Sequence, residues 1–239
     1  MAKAPKIAKK APTYKCGFCN KEFKREETVL THKCEKRERY NNRESREMRE
    51  AFRLYMSFMN KHKLSIGKNE EPLMHFIKSK YFNDFYKFAE YLLSNDILNK
   101  EQFIDNIITS GKPVYEWMTH KTVEEWVIKC IKEEHPRRGV ERSIPALVEW
   151  SEITGNDWNT FFYNVSPVRA IQWFECGKIS PWLIFISRPE VGNALLSRLS
   201  RSELDYLVKF IDPTFYQRKQ LKYINDCNDI RNLLTEAGL

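Results

Sequence analysis

Cys16, Cys19, His32 and Cys34 are the residues of this chain whose types and spacing can do chemistry together. Two residues separate the first pair, twelve separate Cys19 from His32, and one more residue leads to Cys34. Thiolates and imidazole are the ligands tetrahedral zinc prefers, at the spacings used by structural zinc sites. A Cys-x2-Cys pair can also be a redox motif, but that arrangement opens a helix after a strand in a βαβ setting. Nothing βαβ-like surrounds Cys16 in the sequence.

Apolar residues stand between the ligands. Tyr14 lies two before Cys16, Phe23 four after Cys19, and Val29 three before His32. With this register the stretch 14–40 resembles the C2H2 zinc-finger family, in which two short strands and a helix enclose one structural zinc. The match runs through His32 and then departs. The family's last ligand would fall on Lys36, Arg37 or Glu38, and Cys34 is the nearest substitute. The resemblance therefore implies a three-cysteine, one-histidine variant whose helix ends or tightens near His32, with His62 as another residue that could complete the site. It also implies a DNA-facing surface. Aligned on His32, Arg25, Glu27, Thr28 and Thr31 occupy base-facing positions, and Lys24 and Lys33 are placed to hold phosphates. A lone finger covers about three base pairs, so tight binding needs help from elsewhere in the chain.

Charge points to where that help would come from. Residues 1–63 hold 18 Lys/Arg against 8 Asp/Glu, a net of +10; residues 64–239 hold 22 against 24, a net of −2. A phosphate polymer is the simplest partner for such an end, because neutralising phosphates releases counterions; a solvated basic tail is the plainer reading. Residues 1–13, rich in Ala, Lys and Pro, are expected to be a flexible basic arm. Residues 14–35 form the finger, and 36–64 read as one long amphipathic helix. Its apolar stripe is Met48, Phe52, Tyr55, Met56 and Met59. Its basic band is Arg39, Arg43, Arg46, Arg49 and Arg53, either facing phosphates or paired with Glu44, Glu47 and Glu50 one turn away.

Residues 65–239 read as an irregular all-helical domain, so the fold class is mainly α. Hydrophobic content is 42%, enough for a real core, and only eight glycines argue against a turn-rich β fold. Helix signals include Pro72 in a first turn, Asn99 as a cap, a Thr122–Glu125 capping box, and a helix over Ile144–Thr154 stopped by Gly155. Ser166-Pro167 and Ser180-Pro181 are two starts, with Gly177 a stop between them. Ser200–Glu203 is a further box, and last helices are expected over Pro213–Ile224 and Asn228–Ala237. Trp182–Ile186 is the best strand candidate, since a short apolar run is ambiguous by period.

Other chemistry is sparse. His75, His120 and His135 are scattered, and metalloprotease, P-loop and nucleophile-elbow motifs are missing. The Glu124/Glu125 and Glu133/Glu134 doublets read as a solvated face. Cys130 and His135, five apart, lie about 140° apart around a helix, too far to pair. The six tryptophans, with Phe161, Phe162 and Tyr163, could stack single strands, but their half of the chain is slightly acidic, which favours core packing or a protein-binding surface. Cys130, Cys176 and Cys227 fit buried free thiols in a reducing compartment. With no long apolar run and no apolar segment after the first lysines, the expected location is intracellular (cytoplasm or nucleus, or the host interior if viral) with no membrane contact and no small-molecule substrate. The function read from sequence is a non-enzymatic accessory or adaptor protein that binds one Zn2+. Its finger and basic helix contact nucleic acid, duplex DNA above all, and its helical domain contacts a protein partner or itself. A structural or assembly protein whose finger only stabilises the N-terminus is the alternative, and a nuclease the third.

Overall fold

The structure is a computed structural model that describes residues 13–239; the arm expected over 1–13 lies outside the described residues except for Thr13. The described chain is mainly helical, with one two-stranded antiparallel sheet. It divides into two compact units, 13–94 with Ile108–Tyr115, and Asn95–Ile107 with Glu116–Leu239.

In the first unit, β1 (Tyr14–Lys15) pairs with β2 (Glu22–Phe23), Tyr14 opposite Phe23 and Lys15 opposite Glu22. Helix α1 (Glu26–Thr31) stops where His32 turns extended, at φ −66° and ψ 139°. The helix expected over 36–64 comes in two pieces, α2 (Glu35–Asn41) and α3 (Arg46–Lys61). The break falls at Asn42–Ser45. Asparagine and serine compete for nearby backbone groups, and the Ser45 side chain caps α3 by accepting from the Met48 N–H. Met48, Ala51, Leu54, Tyr55 and Met59 form the buried stripe of α3, while Phe52 and Met56 are only half-buried.

That stripe packs against α4 (Pro72–Lys78) and α5 (Phe82–Ser94). The Tyr55 ring lies 4.9 Å from Phe76 and meets Phe85 edge-on at 5.5 Å, and its hydroxyl shares a 2.9 Å hydrogen bond with His75 Nδ1. Pro72 opens α4 at its first turn as the sequence suggests.

Asn99, in the left-handed region at φ 53°, precedes α6 (Lys100–Thr109). The second unit then runs through α7 (His120–Glu133), α8 (Pro136–Thr154), α9 (Phe161–Asn164), α10 (Pro167–Glu175), α11 (Trp182–Ile186), α12 (Pro189–Leu196), α13 (Arg201–Leu207), α14 (Pro213–Lys222) and α15 (Ile224–Glu236). The Ser166 cap and the Ser200–Glu203 capping box form as expected. Thr119, not Thr122, caps α7. Helix α8 begins eight residues before Ile144 and carries Pro145 in its interior. It ends at Gly155 in the left-handed conformation, as read from the sequence.

Helix α11 is the centre of the second core, and it corrects the strand expectation for Trp182–Ile186. Trp182, Leu183 and Ile186 are fully buried. A buried strand needs neighbours for its backbone. Here side chains serve instead: Gln220 Nε2 donates to Phe185 O at 2.5 Å and Arg231 Nε to Ile186 O at 3.1 Å.

Beside α11 lies a charged network that corrects the reading of Glu134 as a solvated residue. Arg142 grips both Glu134 carboxylate oxygens, Nη2 at 3.0 and 2.9 Å and Nε at 3.2 Å. Ser180 Oγ donates to the same carboxylate, and Lys219 Nζ donates to the Glu134 carbonyl at 2.9 Å. Gly139 makes this approach feasible. A Cβ there would stand 2.6 Å from Ser180 Oγ and 2.7 Å from Trp182 Cδ1. Gly139→Ala is therefore expected to force α8 and α11 apart at a cost of about 1–3 kcal/mol. A lowered melting temperature by circular dichroism is the readout, and an unchanged one would refute the close packing.

Candidate metal centre

The hairpin between β1 and β2 holds the first two ligands. Cys16 N–H donates to Lys21 O at 3.0 Å, and Asn20 N–H returns to Cys16 O at 2.9 Å. Asn20 closes the turn at φ 58°, a left-handed conformation that asparagine tolerates better than most residues. His32 stands at the end of α1 and Cys34 at the N-cap position of α2. Three elements thus converge, and the one-residue gap between His32 and Cys34 is the joint between two helices. That joint explains the departure from the finger pattern: the chain starts a new helix where the family's helix would continue to its second histidine.

The four ligand atoms all lie within 4.8 Å of one another. Cys16 Sγ is 3.8 Å from Cys34 Sγ, and Cys19 Sγ is 3.5 Å from His32 Nε2. His32 Nδ1 is 2.6 Å from Val29 O. A carbonyl can only accept, so Nδ1 carries the proton and Nε2 keeps the lone pair that faces Cys19. Phe23 braces the imidazole, with ring centroids 4.7 Å apart.

The thiols are set unequally. Burial pushes the Cys16 thiol up, but the Cys19 and Phe18 backbone N–H groups, with the neighbouring thiols, outweigh it and bring Cys16 down to about 6. Burial and the negative charge of Cys16 push Cys34 up, against the Arg37 backbone N–H. Four sulfur and nitrogen donors around one point make a site able to hold a single metal ion.

Two arginines outside the ligand set fix α2 on both sides. Arg37 donates from Nη1 to Leu30 O and from Nη2 to Val29 O, 2.9 Å each, so it satisfies the last carbonyls of α1. Arg39 turns the other way. It donates to Ile77 O at 3.0 Å and Asn83 Oδ1 at 3.2 Å, stacks 3.9 Å over the Phe82 ring, and pairs with Glu35. Helix α2 therefore joins the Cys/His cluster to the α3–α5 core. The sequence reading missed Arg37, whose partners lie seven and eight residues back, a spacing that carries no helical signal.

The residues expected to touch nucleic acid are distributed as follows. Lys24, Arg25, Glu27, Thr28, Thr31 and Lys33 are all exposed on and around α1, with Thr31 Oγ1 donating to Glu27 O at 2.9 Å. Arg46 is exposed in the first turn of α3. Arg43 folds over the Tyr40 ring at 4.6 Å and lies 3.4 Å from Glu44. Arg39 is the correction: its side chain is only 14% exposed and its donors are committed internally, so it is removed from the candidate surface.

His62 is outside the cluster, with Nε2–H donating to Ile108 O at 2.9 Å. The candidate stacking aromatics are mostly core: Trp117, Trp150, Trp182, Phe161 and Phe162 are buried. Cys130 and Cys227 are buried as expected, whereas Cys176 is exposed. Among the described residues no helix is long and apolar enough to cross a membrane. The chain matches no family model, no curated protein and no solved structure.

Arg39→Ala is expected to lower the stability of the first unit by about 2 kcal/mol, through lost hydrogen bonds and the cation–π contact. Exposed Arg46→Ala should stay within about 0.5 kcal/mol of the parent. Urea denaturation followed by circular dichroism compares the two, and equal stabilities would return Arg39 to the surface set.

Proposed function

We propose that the chain is a zinc-stabilised nucleic-acid-binding accessory protein, with duplex DNA the favoured partner. The zinc assignment rests on one observation. Zinc bonds of about 2.3 Å to sulfur and about 2.0–2.1 Å to nitrogen give tetrahedral edges of about 3.8 Å between sulfurs and about 3.6 Å from sulfur to nitrogen. Two of the cluster's six edges measure 3.8 and 3.5 Å, and all four ligand atoms lie within 4.8 Å of one another. Cys16, Cys19, His32 and Cys34 would hold the ion, and four protein ligands close its coordination shell, which makes its role structural rather than catalytic. The reading is of a binding protein, not an enzyme.

Charge supports the partner. Described residues of the first unit hold 19 Lys/Arg against 12 Asp/Glu, a net of +7, while the second unit holds 17 against 20, a net of −3. Lys24, Lys33, Arg43 and Arg46 form the phosphate-facing set, with Arg25, Glu27, Thr28 and Thr31 nearer the bases. The neutral-to-acidic helical unit serves a protein partner or self-association. Free thiols suit a reducing, intracellular setting. A second reading has its own support: Arg37 and Arg39 tie the cluster into a helical core, which suits a finger that stabilises the N-terminal half of an assembly protein.

Two measurements test these claims. Elemental analysis should find one zinc per chain, with Cys34→Ser losing most of it. Because thiolate ligands must shed protons, retention should fall on acidification. Above about pH 6 Cys16 is already a thiolate, so the loss should steepen as pH falls through that value. Full retention in Cys34→Ser would mean that another residue completes the site. Fluorescence anisotropy with labelled duplex should show binding that weakens roughly 100-fold from 50 to 200 mM salt, as four phosphate contacts require. Cys16→Ser should abolish it. Binding that survives Cys16→Ser would favour the second reading of the finger, and no binding at low salt would sink the nucleic-acid claim.

A further inference from the structure

A cleft in the first unit takes no part in the metal cluster or the surface around α1. It lies among the C-terminal end of α3, the start of α5 and residues 108–115, and encloses about 500 Å³. That volume falls in the range of pockets that take a small planar molecule. Phe58, His62, Tyr81 and Tyr115 supply aromatic surface, and Lys80 and Lys112 supply charge against the single acid Asp84.

The floor is ordered. Phe58 packs at a tilt against His62, with ring centroids 4.4 Å apart, and against Tyr81 at 5.9 Å, and His62 is anchored to Ile108 O. Lys80 Nζ sits 5.0 Å from the Tyr81 ring. The rim is open. Tyr115 is 64% exposed, a large ring left in water beside a pocket. Gly111 is in the left-handed conformation with open space where a Cβ would stand, so a ligand can approach its backbone.

Flat aromatic faces interleaved with lysines are the chemistry that holds bases by stacking and their phosphates by charge. The surrounding unit, at net +7 among its described residues, has the matching sign. A base inside a duplex has both faces covered by its neighbours, so only an unpaired base can enter a concave site. We infer that this cleft receives an unstacked base of a single-stranded nucleic acid, with Tyr115 as the stacking plate and Lys80 and Lys112 on the flanking phosphates. The inference rests on the nucleic-acid reading above and adds a single-stranded segment to it. It also relocates the stacking role, since most of the tryptophans first considered for it are core residues.

The test uses the full chain with zinc and compares anisotropy of a labelled oligo-dT strand and a labelled duplex at 50 mM salt. Tyr115→Ala should weaken single-strand binding about tenfold and leave duplex binding within about twofold, because base stacking on one aromatic is worth that much. Tyr115→Trp should restore it. The exposure of Tyr115 makes an unchanged melting temperature the expected control. Single-strand affinity equal to the parent's in Tyr115→Ala overturns the inference, as does equal loss on both polymers. A parent that binds duplex but not the single strand overturns it alone. A parent that binds neither removes the nucleic-acid reading together with it.

Discussion

Between Thr13 and Cys34 two side chains are buried, Cys16 and Cys34, and both are thiols. Phe23 and Val29, the apolar residues that would centre a finger, are only half-buried, and α1 buries nothing. Two strands of two residues and a helix of six cannot offset the entropy of their own ordering by apolar burial. The convergence of four ligand atoms within 4.8 Å is thus the constraint on which the N-terminal architecture depends. Where such a cluster holds a structural metal ion, the free energy of binding is free energy of folding.

The order so created does not end at the ligands. Val29 O receives both the His32 imidazole N–H and the Arg37 guanidinium, so one carbonyl orients a ligand and ties down the next helix. Arg39, two residues on, carries the same helix onto Ile77, Phe82 and Asn83. The Cys/His cluster and the helical packing are therefore mechanically connected within the first unit. Through α2, the direction in which α1 is presented is set by the α3–α5 core. Pre-orientation of this kind lowers the entropy lost on binding a rigid partner.

The second unit solves a different problem. Its centre is a five-residue helix with almost no exposed surface, whose end carbonyls need donors from outside. Gln220 and Arg231 supply them, and the Glu134–Arg142–Ser180 network closes the opposite side. Buried charge of this kind contributes little net stability but is costly to break, so it favours one packing over others. The bond that Lys219 donates to Glu134 O extends the network to α14.

Features written in short spacings were legible from the sequence. The ligand set spans 19 residues, Ser200 and Glu203 are three apart, and Ser166 adjoins Pro167, so each declares itself within a short local stretch of chain. The mainly helical class followed from apolar periodicity in the same way. Tertiary structure decided the rest. The helix read from Ile144 begins at Pro136 instead, and neighbouring elements carry α8 through Pro145, where a proline costs about 3 kcal/mol in isolation. Trp182–Ile186 has no period of its own, and side chains more than thirty residues away made it a helix. Arg39 and Arg46 are the same residue type seven apart on a basic stretch. One is locked against Phe82 and the other lies in water, because only the fold determines which carbonyls and rings come within reach.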